Sequence, residues 1–306
     1  MKSTFRQGFW RLADPKISLA SFASMFLGAC AAAATDPLHF GWLAVTVLGV
    51  FAIEIAKNAS GEIFDWNSGN DQAVQEEDRS PFSGGKRVLI DNLLTKNQTV
   101  GIALTCYLLG SLAGLSIALS REPRVLWLGV AGVALAFFYH APPFKLSYRG
   151  LGELAVAIAY GPVICVGTYL VQRGAISAEV TLVSTLLGIL IGAFLLINEF
   201  PDYRADQTAD KGTIVVRLGR KTASRVFAGI VAIPFVVLLA LPFLNFPFTL
   251  WLGFIGAAPA FSAVKRLLKN PETTAQIIPA QASALFAFVL FALGCGVGFL
   301  LNVNNG

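Results

Sequence analysis

The sequence has few charged residues. Only 13% of its 306 residues are Asp, Glu, Lys or Arg, whereas 55% are hydrophobic. Soluble proteins carry roughly a quarter charged residues, so this share is low. The mean hydropathy is +0.66, and the apolar runs are long enough to cross a hydrocarbon core of about 30 Å. The composition excludes an ordinary water-soluble domain and predicts an integral membrane protein.

Cysteine is also scarce, and its placement excludes two further classes. The four cysteines lie far apart within apolar stretches, with no CxxC spacing. They predict small buried side chains rather than a disulfide framework or a metal site. The cysteines are Cys30, Cys106, Cys165 and Cys295.

The net charge of +5 does not indicate a nucleic-acid partner, because the basic residues lie in short loops between apolar runs.

Apolar windows predict nine transmembrane segments. Backbone groups in lipid must be satisfied within the chain, so these segments are expected to be helices. The predicted fold is all-α, with about nine transmembrane helices around a central cavity in a single domain over 1–306. The windows are 17–35, 40–57, 98–119, 125–139, 151–171, 180–198, 224–243, 248–264 and 280–301.

Basic residues are distributed unevenly between the two sides of the predicted bundle. With a cytoplasmic N-terminus, the inside segments and their flanking span ends hold all 23 basic residues except Arg121, Arg124 and Arg173. This asymmetry agrees with the positive-inside rule. It predicts a multi-pass protein of the cell inner membrane with its N-terminus in the cytoplasm. The two longest inside loops, 58–97 and 199–223, are expected to cap the functional site.

Two acidic segments, 58–71 and 198–210, begin where apolar runs end. Each places a carboxylate four residues after an asparagine. At helical pitch the asparagines and acids share a face. Carboxylates this close repel one another unless a cation lies between them, and acids near membrane depth are costly enough to indicate function. The segments therefore predict a divalent-metal site at a membrane boundary. The shared faces are Asn58, Glu62 and Asp65, and Asn198, Asp202 and Asp206.

These two segments resemble the aspartate-rich motifs of UbiA-type membrane prenyltransferases. The first reads Asn58-Ala-Ser-Gly-Glu-Ile-Phe-Asp65-Trp-Asn-Ser-Gly-Asn-Asp71. The second reads Asn198-Glu-Phe-Pro-Asp202-Tyr-Arg-Ala-Asp206-Gln-Thr-Ala-Asp210, and Lys211-Gly-Thr-Ile-Val-Val-Arg217-Leu-Gly follows it. The Gly69/Asp71 ending and this tail most resemble the 1,4-dihydroxy-2-naphthoate prenyltransferases of menaquinone synthesis. One departure is that Gly61-Glu62 stands where the family usually has Asn-Asp.

The resemblance implies transfer of a polyprenyl group from a prenyl diphosphate to a lipid-soluble or aromatic acceptor. Dihydroxynaphthoate is the first expectation, with prenylation coupled to loss of its carboxylate. Mg²⁺ typically binds through one or two carboxylates plus substrate phosphates, which makes it the expected cofactor. The predicted Mg²⁺ ligands are Glu62, Asp65, Asp71, Asp202 and Asp206, with Asp210 as a further candidate.

Further residues are assigned by their place in the loops that resemble the family. Asp65, Asp202, Tyr139 and Lys145 are expected to be catalytic. His140 is a candidate base towards an acceptor hydroxyl, or a histidine that hydrogen-bonds at an interface, and Glu54 and Glu153 are candidates for contact with the cavity or with a basic partner. The expected substrate-binding residues are Asn58, Asn198, Lys145, Arg149, Lys211 and Arg217.

Other functions remain open from the residues alone. Within the same fold the acceptor is alternatively 4-hydroxybenzoate, homogentisate, a porphyrin-derived ring or a glycerol phosphate. A cation transporter is a second class, but it predicts ionisable residues in mid-span, and Glu54 is the main example. A CDP-alcohol phosphotransferase would require an Asp-Gly-x-x-Ala-Arg signature, which the sequence does not contain.

Overall fold

The described part of the chain consists of helices joined by loops. The computed structural model describes residues 2–302, with side chains from residue 4. Thirteen α-helices follow one another in this range. They are α1 Lys2–Ala13, α2 Ser18–Ala33, α3 Phe40–Ser68, α4 Asn70–Ala73, α5 Lys96–Ser120, α6 Val125–Phe138, α7 Gly152–Ile158, α8 Ile164–Arg173, α9 Ala178–Thr208, α10 Ile214–Leu218, α11 Arg220–Ala240, α12 Ala257–Lys269 and α13 Thr274–Leu301.

The predicted all-α membrane fold is confirmed, and each of the nine predicted segments has a helical counterpart. Seven helical stretches in the described range are long and apolar enough to cross a membrane. The N-terminal pair α1 and α2, bent by 48°, supplies an eighth, and the shorter apolar α6 corresponds to the window 125–139. Helices α7 and α8 form one stretch because a π-helical turn, Ala159–Val163, joins them around Pro162.

Two helices are longer than the apolar windows that predict them. The windows end at residues 57 and 198, but α3 continues to Ser68 and α9 continues to Thr208. The early parts of the predicted loops 58–97 and 199–223 are therefore helical, and this part of the prediction is wrong. Each helix can continue because some of its polar residues, among them Glu62, Asn198 and Asp206, are buried against protein rather than exposed to lipid. The acidic motifs thus lie on rigid helix ends.

Helix α9 runs through the interior of the bundle and packs closely on its neighbours. In its most apolar window 72% of residues are buried, the highest share among the membrane-spanning candidates in the described range. Small residues permit this approach: a Cβ added at Gly188 would lie 2.2 Å from the carbonyl oxygen of Ala157 in α7. Membrane helices pack through such small residues because water provides no hydrophobic drive between them. The central position of α9 places its acidic end inside the bundle.

The N-terminal helix α1 closes one side of the end that holds the acidic motifs. Asn58 of α3 donates from its side-chain nitrogen to the carbonyl oxygen of Leu12 at 2.8 Å. Just after α1, Asp14 forms an ion pair with Lys86 of the loop before α5. A Cβ at Gly8 would lie 2.5 Å from the side chain of Leu94 in the same loop. Helix α1 therefore fixes this loop over the end of α3.

Candidate functional site

The structure brings the two acidic motifs together. Asp71 on the short helix α4 interacts electrostatically with Asp65 and Glu62 of the first motif and with Asp202 of the second. Asp206, one turn beyond Asp202 on α9, also interacts with Asp65. Asp71 and Asp206 are buried, at 2% and 1% exposure, whereas Asp65 and Asp202 are half-buried. Carboxylates separated by more than a hundred residues in sequence thus form one cluster.

The cluster carries more negative charge than its surroundings balance. Burial, with repulsion from Asp65 and Glu62, raises the pKa of Asp71 to about 8. Lys211 is the nearest counter-charge, with its Nζ 3.4 Å from Oδ1 of Asp206. Burial alone would lower the pKa of Lys211, but Asp206, Asp65 and Asp202 outweigh it and raise that pKa well above its ordinary value. Lys211, a predicted substrate-binding residue, therefore stands between both motifs.

Several carboxylate oxygens of the cluster are free to bind a cation. Glu62 accepts a hydrogen bond from the amide of Leu89 at 3.0 Å, and Asp202 accepts one from the amide of Gly84 at 3.2 Å. The other oxygen of each, and Oδ2 of Asp71, has no hydrogen-bond partner among the described residues although it is buried. Buried acceptors without partners are rare and need an explanation.

A magnesium ion that shares its ligands with a substrate fits these oxygens. In the described range no three His, Cys, Asp or Glu side chains converge closely enough to hold a metal ion by themselves. Mg²⁺ does not need such an enclosure, because it usually binds one or two carboxylates and takes its remaining oxygens from water and substrate phosphates. The unpaired oxygens on Glu62, Asp71 and Asp202 match that requirement.

Asp65 is contacted from the loop that follows α6. The hydroxyl of Tyr148 donates to Oδ1 of Asp65 at 2.7 Å and lies 2.8 Å from Oγ of Ser68. Nε2 of His140 lies 3.6 Å from Oδ2 of the same carboxylate. Burial, followed by the charge of Asp65, raises the pKa of Tyr148, so its hydroxyl keeps its proton. Burial lowers the pKa of His140 to about 4 although Asp65 opposes it, so the imidazole is neutral.

Lysines lie over tyrosine rings around the acidic cluster. The ammonium groups of Lys145 and Lys211 lie 5.4 and 5.5 Å from the ring centroid of Tyr148. Lys57 lies 5.4 Å from the ring centroid of Tyr139. The structure therefore brings the predicted Tyr139, Lys145 and Lys211 to the site. Tyr148 and Lys57, for which the sequence pattern predicts no role, also lie there.

Some predicted substrate-binding side chains are engaged elsewhere. Asn58 binds the end of α1, and Asn198 accepts a hydrogen bond from Gln281 of α13 at 3.0 Å. Arg149 donates to the carbonyl oxygen of Pro143 at 3.0 Å. Arg217 donates to the carbonyl oxygens of Gly212 and Arg149 at 2.8 and 2.9 Å. These contacts hold helices and loops around the cluster, and direct contact of the four with substrate stays a prediction.

The remaining acidic candidates separate by environment. Asp210 is exposed at a positive φ of 52° in the turn after α9. Glu153 of α7 is buried beside Glu199 of α9. Glu54 is buried one turn before Asn58, where Ser21 donates to one oxygen at 2.9 Å and Tyr160 donates to the other at 3.1 Å. Of the three, Glu54 borders an apolar cavity between the helices.

An apolar cavity of about 550 Å³ lies next to the cluster. Helices α2, α3, α5, α6, α7 and α8 line it, and its polar end is formed by Glu54, Lys57 and Tyr139. Tyr139 stacks edge-on against His140, which in turn contacts Asp65. Lining residues Leu126 and Val130 of α6 are 44% and 56% exposed, so the cavity reaches the outer surface of the bundle. Its size is typical of a small-molecule site.

Comparison with known proteins gives relatives along most of the chain. The 1,4-dihydroxy-2-naphthoate octaprenyltransferase of Bacillus subtilis is 25% identical over 294 residues, covering 94% of this chain and 92% of the relative. The protein of the same name from Mycobacterium tuberculosis is 32% identical over 206 residues, covering 66% of this chain and 68% of the relative.

The fold is also that of a solved structure. A UbiA homolog from Archaeoglobus fulgidus, bound to GPP and Mg²⁺, superposes with a TM-score of 0.62 at 10% identity, covering 94% of this chain and 99% of that one. The model of the UbiA prenyltransferase family matches residues 21–278. The chain therefore belongs to the UbiA prenyltransferase family.

Proposed function

We propose that this prenyltransferase moves a polyprenyl group from a prenyl diphosphate to 1,4-dihydroxy-2-naphthoate with the help of Mg²⁺. The observation that carries the proposal is the juxtaposition of two groups of residues. Carboxylates from both acidic motifs interact with Lys211, and buried oxygens of Glu62, Asp71 and Asp202 have no hydrogen-bond partner among the described residues. An apolar cavity of about 550 Å³ ends at Tyr139, whose ring packs against His140 beside Asp65. A diphosphate head with a hydrocarbon tail matches both parts of this site.

The charged end of the site suits the diphosphate head only when cations accompany the carboxylates. Glu62, Asp65, Asp71, Asp202 and Asp206 would hold Mg²⁺, which when bound neutralises the diphosphate and stabilises it as a leaving group. Two lysines supply further positive charge. The ammonium group of Lys211 lies 3.4 Å from the carboxylate of Asp206, and that of Lys145 lies over the ring of Tyr148. As a compact point charge, each lysine suits phosphate oxygens.

The cavity suits the reacting end of the donor. In the transfer, the bond between the allylic carbon and the diphosphate oxygen breaks, and its electron pair leaves with the diphosphate. The electron-rich acceptor ring then forms the new carbon–carbon bond. Water would intercept the allylic cation, and an apolar cavity that excludes water protects it. Tyr139 and Lys57 lie at the polar end of the cavity, where the diphosphate head of the donor would join its hydrocarbon tail.

The acceptor and the location rest on relatives and on charge distribution. The relatives from Bacillus subtilis and Mycobacterium tuberculosis are both named 1,4-dihydroxy-2-naphthoate octaprenyltransferases, which supports dihydroxynaphthoate over other aromatic acceptors. With that acceptor, the ring position that gains the prenyl group loses carbon dioxide. The excess of basic residues at the end that holds the acidic motifs supports a cytoplasmic N-terminus and a site that opens to the cytoplasm of a cell inner membrane.

Membranes that contain the protein provide the test. They are incubated with labelled farnesyl or longer prenyl diphosphates, with and without Mg²⁺, and with a panel of dihydroxynaphthoate, 4-hydroxybenzoate and homogentisate. The expected result is a prenylated naphthoquinol that has lost its carboxylate, identified by mass, and formed only with Mg²⁺. Product from another acceptor alone would refute dihydroxynaphthoate as the acceptor. Equal turnover in EDTA would refute the requirement for Mg²⁺.

Two variants test the residue assignment. One oxygen of Asp202 is buried and has no hydrogen-bond partner among the described residues. Asp202→Asn keeps the size of this side chain but removes its charge, and it is expected to lose most of the activity. Asp210→Asn removes an exposed acid from the same segment and is expected to retain it. Full Mg²⁺-dependent activity of purified Asp202→Asn would contradict the proposed role of the acidic cluster.

A further inference from the structure

Gly61 leaves a space in α3 that another part of the chain fills. It lies one helical turn before Asp65, on the buried side of the helix. A Cβ built at Gly61 would lie 2.6 Å from Cε1, 2.9 Å from Nδ1 and 3.2 Å from Nε2 of His140. Real side chains essentially never approach closer than 3.0 Å. The imidazole of His140 therefore occupies the position that a side chain at residue 61 would require.

His140 is held in this position by the loop after α6. It is 9% exposed, and the ring of Tyr139 stands edge-on to it with centroids 4.7 Å apart. Its Nε2 lies 3.6 Å from Oδ2 of Asp65. Its Nδ1 is buried and makes no hydrogen bond to any described residue. Asp65 is thus the only carboxylate in the described range that forms an ion-pair contact with the imidazole.

Asp65 is consequently contacted on both of its oxygens by the same loop. Tyr148 donates to Oδ1 at 2.7 Å, and His140 faces Oδ2. The separation of 3.6 Å is longer than a hydrogen bond, but such contacts often shorten when substrate binds. Mutation of a residue that orients a metal-binding side chain typically weakens metal binding about 10- to 100-fold.

We propose that His140 is a positioning residue for Asp65, and that Gly61 is required because it leaves room for the imidazole. The proposal rests on the proposed function, since Asp65 is one of the carboxylates assigned to Mg²⁺ and diphosphate. In this arrangement a side chain that α3 lacks at residue 61 is replaced by one from a loop 79 positions later in the sequence. The first acidic motif is thus completed by the loop after α6.

The first test replaces the histidine and measures metal binding without turnover. The thermal unfolding temperature of the purified protein is recorded as Mg²⁺ is added, with and without a non-hydrolysable prenyl diphosphate analogue. The Mg²⁺ concentration that gives half of the maximal thermal shift is called the Mg²⁺ midpoint. For His140→Ala it is expected to rise roughly 10- to 100-fold, the usual effect of removing a residue that orients a metal ligand. His140→Gln, which retains a polar group of similar reach, is expected to recover most of the affinity.

The second test adds a methyl group at residue 61. Gly61→Ala is expected to lower the unfolding temperature and to raise the Mg²⁺ midpoint, because its Cβ displaces His140. Gly229→Ala in α11 is the matched control, since a Cβ there has nothing within 4 Å. In the double variant Gly61→Ala with His140→Ala, the stability lost through Gly61→Ala is expected to be largely restored, because the methyl group then has space.

The outcomes separate this proposal from the function on which it rests. A wild-type protein that shows neither a Mg²⁺-dependent thermal shift nor turnover would overturn both. Wild-type binding with an unchanged Mg²⁺ midpoint in His140→Ala would overturn the positioning role alone, even if that variant were less stable. A Gly61→Ala protein that behaves like Gly229→Ala would refute the steric part of the proposal.

Discussion

Replacing Asp71 with asparagine should make the metal-free protein more stable. Burial and the neighbouring carboxylates raise the pKa of Asp71 to about 8 from an ordinary value of 3.8. Holding this group in the folded state at pH 7 therefore costs up to about 4 kcal/mol relative to the unfolded chain, because one pKa unit corresponds to 1.36 kcal/mol. The neighbouring carboxylates share that cost, so a gain of about 2–4 kcal/mol is expected for Asp71→Asn.

The expected gain depends on pH in a defined direction. An acid with a raised pKa binds its proton more tightly in the folded than in the unfolded state. Stability is therefore lost as pH rises from about 4 through about 8, the interval between the ordinary and the raised pKa of Asp71. The advantage of Asp71→Asn should be small at pH 4, increase up to pH 8 and level off above it.

Thermal unfolding in detergent with EDTA, at several pH values, measures this effect. A gain of 1 kcal/mol corresponds to about 2–4 °C in proteins of 150–250 residues, so a rise of several degrees is expected at pH 7. Added Mg²⁺ should stabilise the wild type more than Asp71→Asn, because an amide is a weaker ligand than a carboxylate. Asp210→Asn, at an exposed position, serves as control. A lower metal-free unfolding temperature for Asp71→Asn, or a gain independent of pH, would refute the reasoning.

Three further changes test other contacts of the site. Tyr148→Phe removes the 2.7 Å hydrogen bond to Asp65 and should lower kcat/KM about 10- to 100-fold, since hydrogen bonds to charged groups contribute about 1.5–3 kcal/mol; an unchanged kcat/KM would contradict this. Lys211→Ala leaves Asp206 without its ion pair and should reduce metal-free stability by about 3–5 kcal/mol, as measured by unfolding temperature; an equal loss in saturating Mg²⁺ would argue against charge as the cause. Gly132→Leu fills part of the cavity and should raise KM more for long prenyl diphosphates than for geranyl diphosphate, whereas a uniform change would place the chain elsewhere.

The transmembrane helices could be predicted because a helix that crosses lipid requires a long, continuous stretch of apolar residues. Each of the nine windows has a helix at its position, including the short α6. The ends of α3 and α9 could not be predicted from hydropathy, because some polar residues there, such as Glu62 and Asp206, are buried against protein. In a hydropathy profile, a polar residue in a helix that faces protein looks the same as one in a loop.

The acidic cluster could also be predicted, but its supporting contacts could not. The spacing of acids in each motif indicates a shared helix face, and both faces meet around Lys211. The asparagines share those faces, yet Asn58 binds α1 and Asn198 binds α13, because a helix turn points neighbouring side chains in slightly different directions. The contact of Tyr148 with Asp65 joins residues 83 positions apart, and no local pattern reports such a contact.

The attachment of α1 to the site has a practical consequence for handling the protein. Asn58 binds the carbonyl oxygen of Leu12, and Asp14 pairs with Lys86, in the loop whose amide at Leu89 binds Glu62. A bulky purification tag or a reporter fused at the N-terminus is expected to disturb this series of contacts. We expect a ligand that separates α1 from this loop to disturb Glu62 without resembling either substrate.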